Sequence, residues 1–445
     1  MTTAVVVLAA GKGTRMHSRL PKVLHQAGGR SMLASVLKAA GDSGVAGQNT
    51  AVVAGYGIEA IRAALAGSEV EIVLQEPQLG TGHAVLCAQS WWKRHPQVIV
   101  VHGDMPLLSA ATIGGLARAR SESGAAAVLA TAAPAEPRAY GRIVRDRERP
   151  ERVLRIVEEK QATAEQLKIR ELNAGFYCFE TAALAEALAQ LGTDNPHGEY
   201  YLTDTIALLA PRGVVAYPLE DDRECLGVND RAELAELDSD LRRRKVAALL
   251  KAGVSVQLPD TVVVDPEVEV GEDTVIESGV QLLGATRIGA GCRIRAHSVV
   301  ESASVEDGAI IGPFARLREG AVIGAGAHIG NFVEVKKSRI GKGSKANHLA
   351  YIGDAVVGER ANIGAGTITC NYDGVHKHST VIGDGAFIGS NSTLVAPVEI
   401  GAGAYVGAGS VITEEVPGDA LGLGRARQAV KPGWAAARRQ TVKRK

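Results

Sequence analysis

The chain has 445 residues, more than one ordinary core accommodates, so two or three domains are expected. Its 49 basic and 49 acidic residues cancel, which gives no support for a nucleic-acid-binding surface, and no apolar run approaches a membrane span. Five scattered cysteines, Cys87, Cys178, Cys225, Cys292 and Cys370, follow no metal or disulfide spacing and suit a reducing cytoplasm.

The opening apolar run, 4–8, follows no basic start and is too short for a signal segment, so it reads as a buried first strand. It leads into "VLAAGKGTRM", a turn whose close-packed backbone N–H groups suit an anion. Met16 stands where the dinucleotide fingerprint needs its third glycine, and the Walker A spacing is also missing. The turn is therefore a nucleotide or phosphate site of another kind. Further strands are expected at 50–54, 71–74, 98–101 and 126–130, with helices at 31–40, 58–66, 82–94 and 111–122. That alternation predicts a mostly parallel sheet covered by helices on both faces. Residues 11–15 and Gly103-Asp104 fall beyond strand carboxyl ends, where such sheets bind ligands. Lys12, Arg15 and Lys22 could bind a triphosphate and stabilise its departing pyrophosphate. Asp104 could hold Mg²⁺ against phosphate oxygens, or serve only as a strand-terminal turn residue. Gln75 and the Gly80-Thr81-Gly82 turn could recognise a base or ribose.

Residues 230–250 read as a connecting helix. Asp230 and Glu233 form its capping box, Leu234, Leu237, Leu241 and Leu249 its stripe, and 242–245 a solvated run. From about Val262 the period becomes six, as in Ile288-Gly289, Ile311-Gly312, Ile323-Gly324 and Ile400-Gly401. A parallel β-helix of hexapeptide repeats gives this pattern, with aliphatics inside and glycine at the corners. Residues 18 apart then stack on successive coils, and Arg318 and Lys336 are such a pair. Two stacked cations call for a bound anion, or for salt bridges to Glu319 or Glu334. Between Val335 and Ile382 the repeat is expected to slip and fail, with "TCNYDGVHKHST" bulging outward as a second candidate site. Among the histidines of this half, His348, His376 and His378 are open as candidates for a general base, the last two in the bulge, while His297 and His328 read as packed or exposed repeat residues. Arg438, Arg439, Lys443, Arg444 and Lys445 read as a solvated terminus.

"LAAGKGTRM", "QLGTGHA", "GDMPLL", "YGRIV", "IVEEK", "LNAGFY" and "GVND" resemble a sugar-nucleotide pyrophosphorylase. Followed by "GPFARLREG", "GNFVEVKKSRIGKGSKANHLAYIGD" and "NIGAGTITCNYDG", they resemble the bifunctional bacterial N-acetylglucosamine-1-phosphate uridylyltransferase/glucosamine-1-phosphate N-acetyltransferases. The match spans essentially the whole chain. It implies a Rossmann-like α/β uridylyltransferase domain at 1–229, a linker helix at 230–251, and a left-handed parallel β-helix acetyltransferase with its tail at 252–445. Acetyl-CoA would acetylate glucosamine 1-phosphate, and UTP would then uridylylate the product, feeding peptidoglycan and, in many bacteria, lipopolysaccharide.

By the same resemblance, Leu8, Ala9, Gly11 and Gly13 would cradle the uridine nucleotide, with Arg15 and Lys22 on its phosphates. Gln75, Gly80 and Thr81 would contact uracil and ribose, Gly141, Glu158 and Asn173 the sugar, and Asp104 with Asn229 would hold Mg²⁺. The family usually has tyrosine before Gly-Asp, where this chain has His102. In the second half His348 would be the general base of acetyl transfer, with Arg318, Lys336, Tyr351, Asn362 and Lys377 around the sugar phosphate and amine. Ala365, Asn371, Tyr372, Ser390, Ala408 and Arg425 would line the acetyl-CoA path, with a backbone amide near Ala365 for the oxyanion. The family also implies a homotrimer with sites between prisms, in the cytoplasm. A single-activity pyrophosphorylase with a structural solenoid and a noncatalytic nucleotide-binding scaffold are the alternatives. The first would lack acetyl transfer, and the second any turnover with Mg²⁺.

Overall fold

The structure, a computed structural model, describes residues 3–45, 49–134, 140–195 and 197–442. The chain forms two compact units, residues 1–239 and 240–445.

In the first unit the apolar runs become β1 (Ala4–Ala9), β2 (Thr50–Ala54), β3 (Glu71–Leu74), β4 (Gln97–His102) and β5 (Ala127–Ala132). They are joined by β6 (Leu172–Glu180) and β7 (Val214–Pro218) in the order β7-β5-β6-β4-β1-β2-β3. Only β6 runs antiparallel to its neighbours along this path, and the hairpin of Arg142–Arg145 and Val153–Val157 extends the sheet from it. Alternate residues of β1 feed two cores, as strand geometry requires. Val6 and Leu8 pack with Trp92, Tyr177 and Phe179, whereas Val5 and Val7 pack with Leu33, Ile113 and Phe176. Four of the expected helices are found, but the one over 82–94 divides at Ala88 into Thr81–Cys87 and Gln89–Trp92. There the turn tightens, and the Trp92 indole N–H donates to the Val85 carbonyl at 2.8 Å.

Strand order reverses about β1, which pairs with both β2 and β4. The Gly103 N–H donates to the Leu8 carbonyl at 2.9 Å, so the loops after β1 and β4 open into one crevice.

The helix Arg231–Lys251 carries the division between the units. Asp230 caps it by accepting from the Ala232 and Glu233 N–H groups, each at 2.9 Å. Glu233, however, reaches back to the Asn229 N–H at 2.6 Å, one residue beyond the expected box. The 242–245 run is not simply solvated: Arg242 pairs with buried Asp265, and Arg244 with Asp240 at 2.8 Å.

The second unit is a parallel β-helix whose three sheets hold 10, 9 and 8 strands. Most partners lie 17 or 18 residues along the chain, as in His328↔Lys345 and Glu334 with Arg316, and 25 where the coil carries the extra segment, as in Asn362↔Phe387. Leu317, Ile323, Ile329 and Val335 enter the interior and are fully buried. The expected failure after Val335 does not occur. Ile340, Ala346, Ile352, Val357, Ile363 and Thr369 continue the buried file. The coils merely shorten, and Ala346 and Thr369 replace large aliphatics. The Thr369 hydroxyl stays satisfied by accepting from the Gly353 N–H at 2.8 Å. Only 371–379 leaves the coil, as a small hairpin bridged by Tyr372 and Lys377.

Glycines such as Gly291, Gly308 and Gly326 turn corners in the left-handed region, with φ of 63°, 67° and 63°, whereas Gly271, directly after an inward aliphatic, answers to crowding. A Cβ on Gly271 would stand 2.6 Å from the Ala290 nitrogen on the next coil. One edge is instead turned by His297, Phe314, Phe332 and Leu349 in the left-handed region, with φ of 57°, 56°, 58° and 46°. That conformation costs about 1–2 kcal/mol per residue. Ring stacking at 5.2 Å (His297–Phe314) and 5.6 Å (Phe314–Phe332) offsets part of it. Gly330 is the most crowded position beside the second site, since a Cβ there would overlap the Asn347 carbonyl. Gly330→Ala is expected to destabilise the prism by about 1–3 kcal/mol, read as a lower thermal midpoint. The terminal helix Trp434–Val442 exposes Trp434, Arg438 and Arg439, while Lys443, Arg444 and Lys445 lie outside the described residues.

Candidate active sites

The crevice at the reversal point is a cavity of about 940 Å³. Leu8, Ala9, Gly11, Lys12 and Lys22 form one wall, Gln75, Gly80 and Thr81 another, and His102 and Asp104 the floor. A second lobe of about 430 Å³ is lined by Gly141, Glu158 and Asn173 and shares Thr81, His102 and Glu199 with the first. Residues assigned separately to nucleotide and sugar thus meet in one continuous cleft.

Two cation–oxygen pairs stand by the loops after β1 and β4. Lys22 is ion-paired with Asp104, and Arg15 donates to the Asn229 side-chain oxygen at 2.9 Å. The Val228 N–H donates to the Asp104 carbonyl at 3.1 Å, drawing the segment before Asn229 to the β4 loop. Gly13, Arg15 and Asn229 do not line the cavity. Gly13 turns the loop at φ 57° and packs on Lys22, where a Cβ would stand 2.7 Å from Lys22 Cβ. Among the described residues no three His, Cys, Asp or Glu side chains cluster. A cation bound here would take oxygen from Asp104, Asn229, phosphate and water.

In the second lobe, Asn173 and the Tyr177 hydroxyl are hydrogen-bonded at 2.8 Å, and Glu158 accepts from the Thr203 hydroxyl at 3.1 Å. Burial pushes the Glu158 carboxyl up, opposed by that hydrogen bond. A Cβ on Gly141 would lie 2.6 Å from Ile156, so only glycine leaves this wall open. His102 sits at the seam, against Gly175, and burial pushes its pKa down. The 199–203 strip, absent from the sequence reading, walls both lobes. The Gly82 N–H donates to the Tyr200 carbonyl at 2.8 Å, and Thr81 accepts from the Leu202 N–H at 3.0 Å. The only sequence signal was an aromatic pair, Tyr200-Tyr201, in a polar loop.

On the prism, Arg318 and Lys336 stack on one face, one coil apart, because Leu317 pairs with Val335. Arg318 also takes the salt bridge that was the alternative, to Glu334 at 2.8 Å. Lys377 of the hairpin approaches Lys336 and, with Arg318, pushes its pKa down. Asp373 stiffens the hairpin by accepting from the Val375 and His376 N–H groups and from His378, and is pushed down to about 2, chiefly by the His376 N–H. Asn371 at its base bonds Asp354, and Tyr351 pairs with Glu334 across the coils.

His348 is exposed at the edge where this face begins. Two residues before it Ala346 pairs with Ile363, which pairs with Ile388, which pairs with Val406. His348, Ala365, Ser390 and Ala408 therefore form one column on four successive coils. Gly422 pairs with Val406, which carries the column on to Gly424 and Arg425. Asn362 lies on the same sheet as His348, beside Lys345.

A reversal-point nucleotide cleft joined to a hexad prism with an aligned edge defines a two-part transferase. Residues 5–252 match the model of the MobA-like NTP transferase domain, and 267–302, 302–337 and 379–414 match the six-repeat bacterial transferase hexapeptide, the left-handed prism. The chain is 48% identical to the bifunctional protein GlmU of Koribacter versatilis, across 99% of this chain and 98% of that protein. It is 49% identical to that of Carboxydothermus hydrogenoformans, across 96% and 99%. The chain belongs to the bifunctional GlmU family: it is a bifunctional enzyme of UDP-N-acetylglucosamine synthesis, a nucleotidyltransferase joined to an acetyltransferase.

Proposed function

We propose that residues 1–229 perform uridylyl transfer and 252–445 acetyl transfer, with 230–251 as the link. The prism transfers acetyl from acetyl-CoA to glucosamine 1-phosphate, and the α/β unit then transfers uridylyl from UTP to N-acetylglucosamine 1-phosphate.

In uridylyl transfer the sugar phosphate is already an anionic nucleophile, so the protein's task is alignment and charge stabilisation. Leu8, Ala9 and Gly11 bring backbone to the nucleotide, with Gly13 turning the loop behind them, Gln75, Gly80 and Thr81 hold uracil and ribose, and Gly141, Glu158 and Asn173 hold the sugar. Arg15 and Lys22 turn from their oxygen partners to the departing pyrophosphate. Asp104 and Asn229 would hold Mg²⁺, whose preference for hard oxygen donors fits that set and which supplies Lewis-acid neutralisation of phosphate charge.

In acetyl transfer His348 takes the proton of the sugar amine as the nitrogen attacks the thioester carbonyl, the C–S bond then breaks, and the CoA sulfur leaves with that proton as the free thiol. Arg318, Lys336 and Lys377 hold the phosphate, whose charge relieves their mutual repulsion, and Tyr351 and Asn362 flank the sugar. Acetyl-CoA extends along the prism edge past Ala365, Ser390 and Ala408 to Arg425, with Asn371 and Tyr372 beside the thioester. The observation that carries this reading is the single column from His348 to Ala408 beside the stacked cations. At about 4.8 Å per coil it offers an extended cofactor a straight track.

A homotrimer is supported by the edge beside that column, where Phe314, Phe332 and Leu349 are 48%, 56% and 62% exposed. Such a stripe calls for cover by another prism. The five free cysteines fit a cytoplasmic site, and no described helix is long and apolar enough to cross a membrane. The test follows both products. With all substrates and Mg²⁺ the chain is expected to release CoA and pyrophosphate. With EDTA, CoA release continues and pyrophosphate release stops; loss of both together would overturn the division of labour.

A further inference from the structure

One hydrogen bond at the head of the column has no part in the scheme above. Asn331 and His348 are register partners on adjacent coils, and the Asn331 side-chain oxygen lies 2.7 Å from His348 Nδ1. We propose that Asn331 is a positioning residue for acetyl transfer, holding the His348 ring in the Nδ1-protonated tautomer so that Nε2 presents its lone pair to the sugar amine. This rests on the reading of His348 as the base.

An amide oxygen only accepts, so the ring nitrogen facing it carries the proton and the other nitrogen is left basic. The bond also stops rotation of a ring that its exposure would otherwise leave free. Asn331 is itself fixed, since its carbonyl accepts from the Leu349 N–H at 3.0 Å. The absence of a Cβ at Gly330 lets these two coils approach closely.

The choice of amide over carboxylate has a chemical consequence. A carboxylate would orient the ring equally well, but it would favour imidazolium and raise the pH above which the ring is free to act as a base. The other titratable neighbour is His328 on the preceding coil, which pairs with Lys345. Burial first, then Arg295, Lys345 and His348, push the His328 pKa down, which favours its uncharged form. An uncharged acceptor thus orients His348 without filling it.

CoA release by the full chain, measured against pH and glucosamine 1-phosphate, tests this with Asn331→Ala, Asn331→Asp and His348→Ala. Asn331→Ala should lower kcat about 10- to 100-fold with KM little changed, within the ~10²–10⁴ that a positioned base contributes. Asn331→Asp should recover most of kcat while moving the acid limb of the profile up by about one pH unit. If Asn331→Ala keeps full kcat, or if both Asn331 variants lose activity equally with an unmoved limb, the proposal is overturned. His348→Ala that still acetylates would instead remove the base reading itself. His348→Ala inactive beside fully active Asn331→Ala would remove only the positioning role.

Discussion

Replacing His348 by alanine is expected to lower acetyl transfer about 10²–10⁴-fold, the range a positioned general base supplies. Pyrophosphate release from UTP and N-acetylglucosamine 1-phosphate should stay near that of the parent. The separation is expected on structural grounds. His348 is exposed, so truncation opens no cavity in the prism. Its ring bonds Asn331, also of the second unit, whereas every side chain assigned to uridylyl transfer belongs to the first. The residual acetylation should climb with pH, because the amine must then lose its proton to solvent unaided. Equal loss of both activities would contradict the assignment.

The first unit was legible where burial is two-sided. The run at 50–54 coincides with β2, buried at every position, since parallel strands under helices read as unbroken apolar stretches, whereas 71–74 coincides with β3, an edge strand that is only partly buried. Leu172–Glu180 is buried as thoroughly, yet it was read only as a motif, "LNAGFY". Its antiparallel place between β4 and β5 depends on long-range pairing that no local pattern carries. The same holds for the 199–203 strip, which joins the cleft through backbone contacts to Gly82 and Thr81.

The prism shows the opposite limit. Its hexads were plain wherever isoleucine, leucine or valine filled the interior, and Arg318 over Lys336 followed from an 18-residue coil. The column from His348 through Ala365 and Ser390 to Ala408 could not be counted out the same way. One coil is short, and the 371–379 hairpin lengthens the next, so regular stacking becomes irregular spacing in sequence. Four residues that resemblance had assigned one at a time turn out to share an edge. The hairpin explains both effects: it hides the register and delivers Lys377 to Lys336.

Asp104→Ala carries the largest expected effect on the other activity. The residue occupies the loop after β4, its carboxylate engaged by Lys22 and its carbonyl by the Val228 N–H. Removing the carboxylate should take away one of two protein oxygens for Mg²⁺ and leave Lys22 without its partner. Loss of metal-borne charge stabilisation is worth several kcal/mol, so uridylyl transfer should fall roughly 10²–10⁴-fold. Acetyl transfer should be unaffected, because none of its assigned groups lies in this unit. The two contributions separate by titration with Mg²⁺. If the carboxylate holds the metal, Asp104→Ala shifts the concentration dependence to higher Mg²⁺, whereas Lys22→Ala lowers the plateau with little shift. An Asp104→Ala enzyme with parental pyrophosphate release and an unmoved Mg²⁺ requirement would leave Asp104 as no more than the turn residue that ends β4.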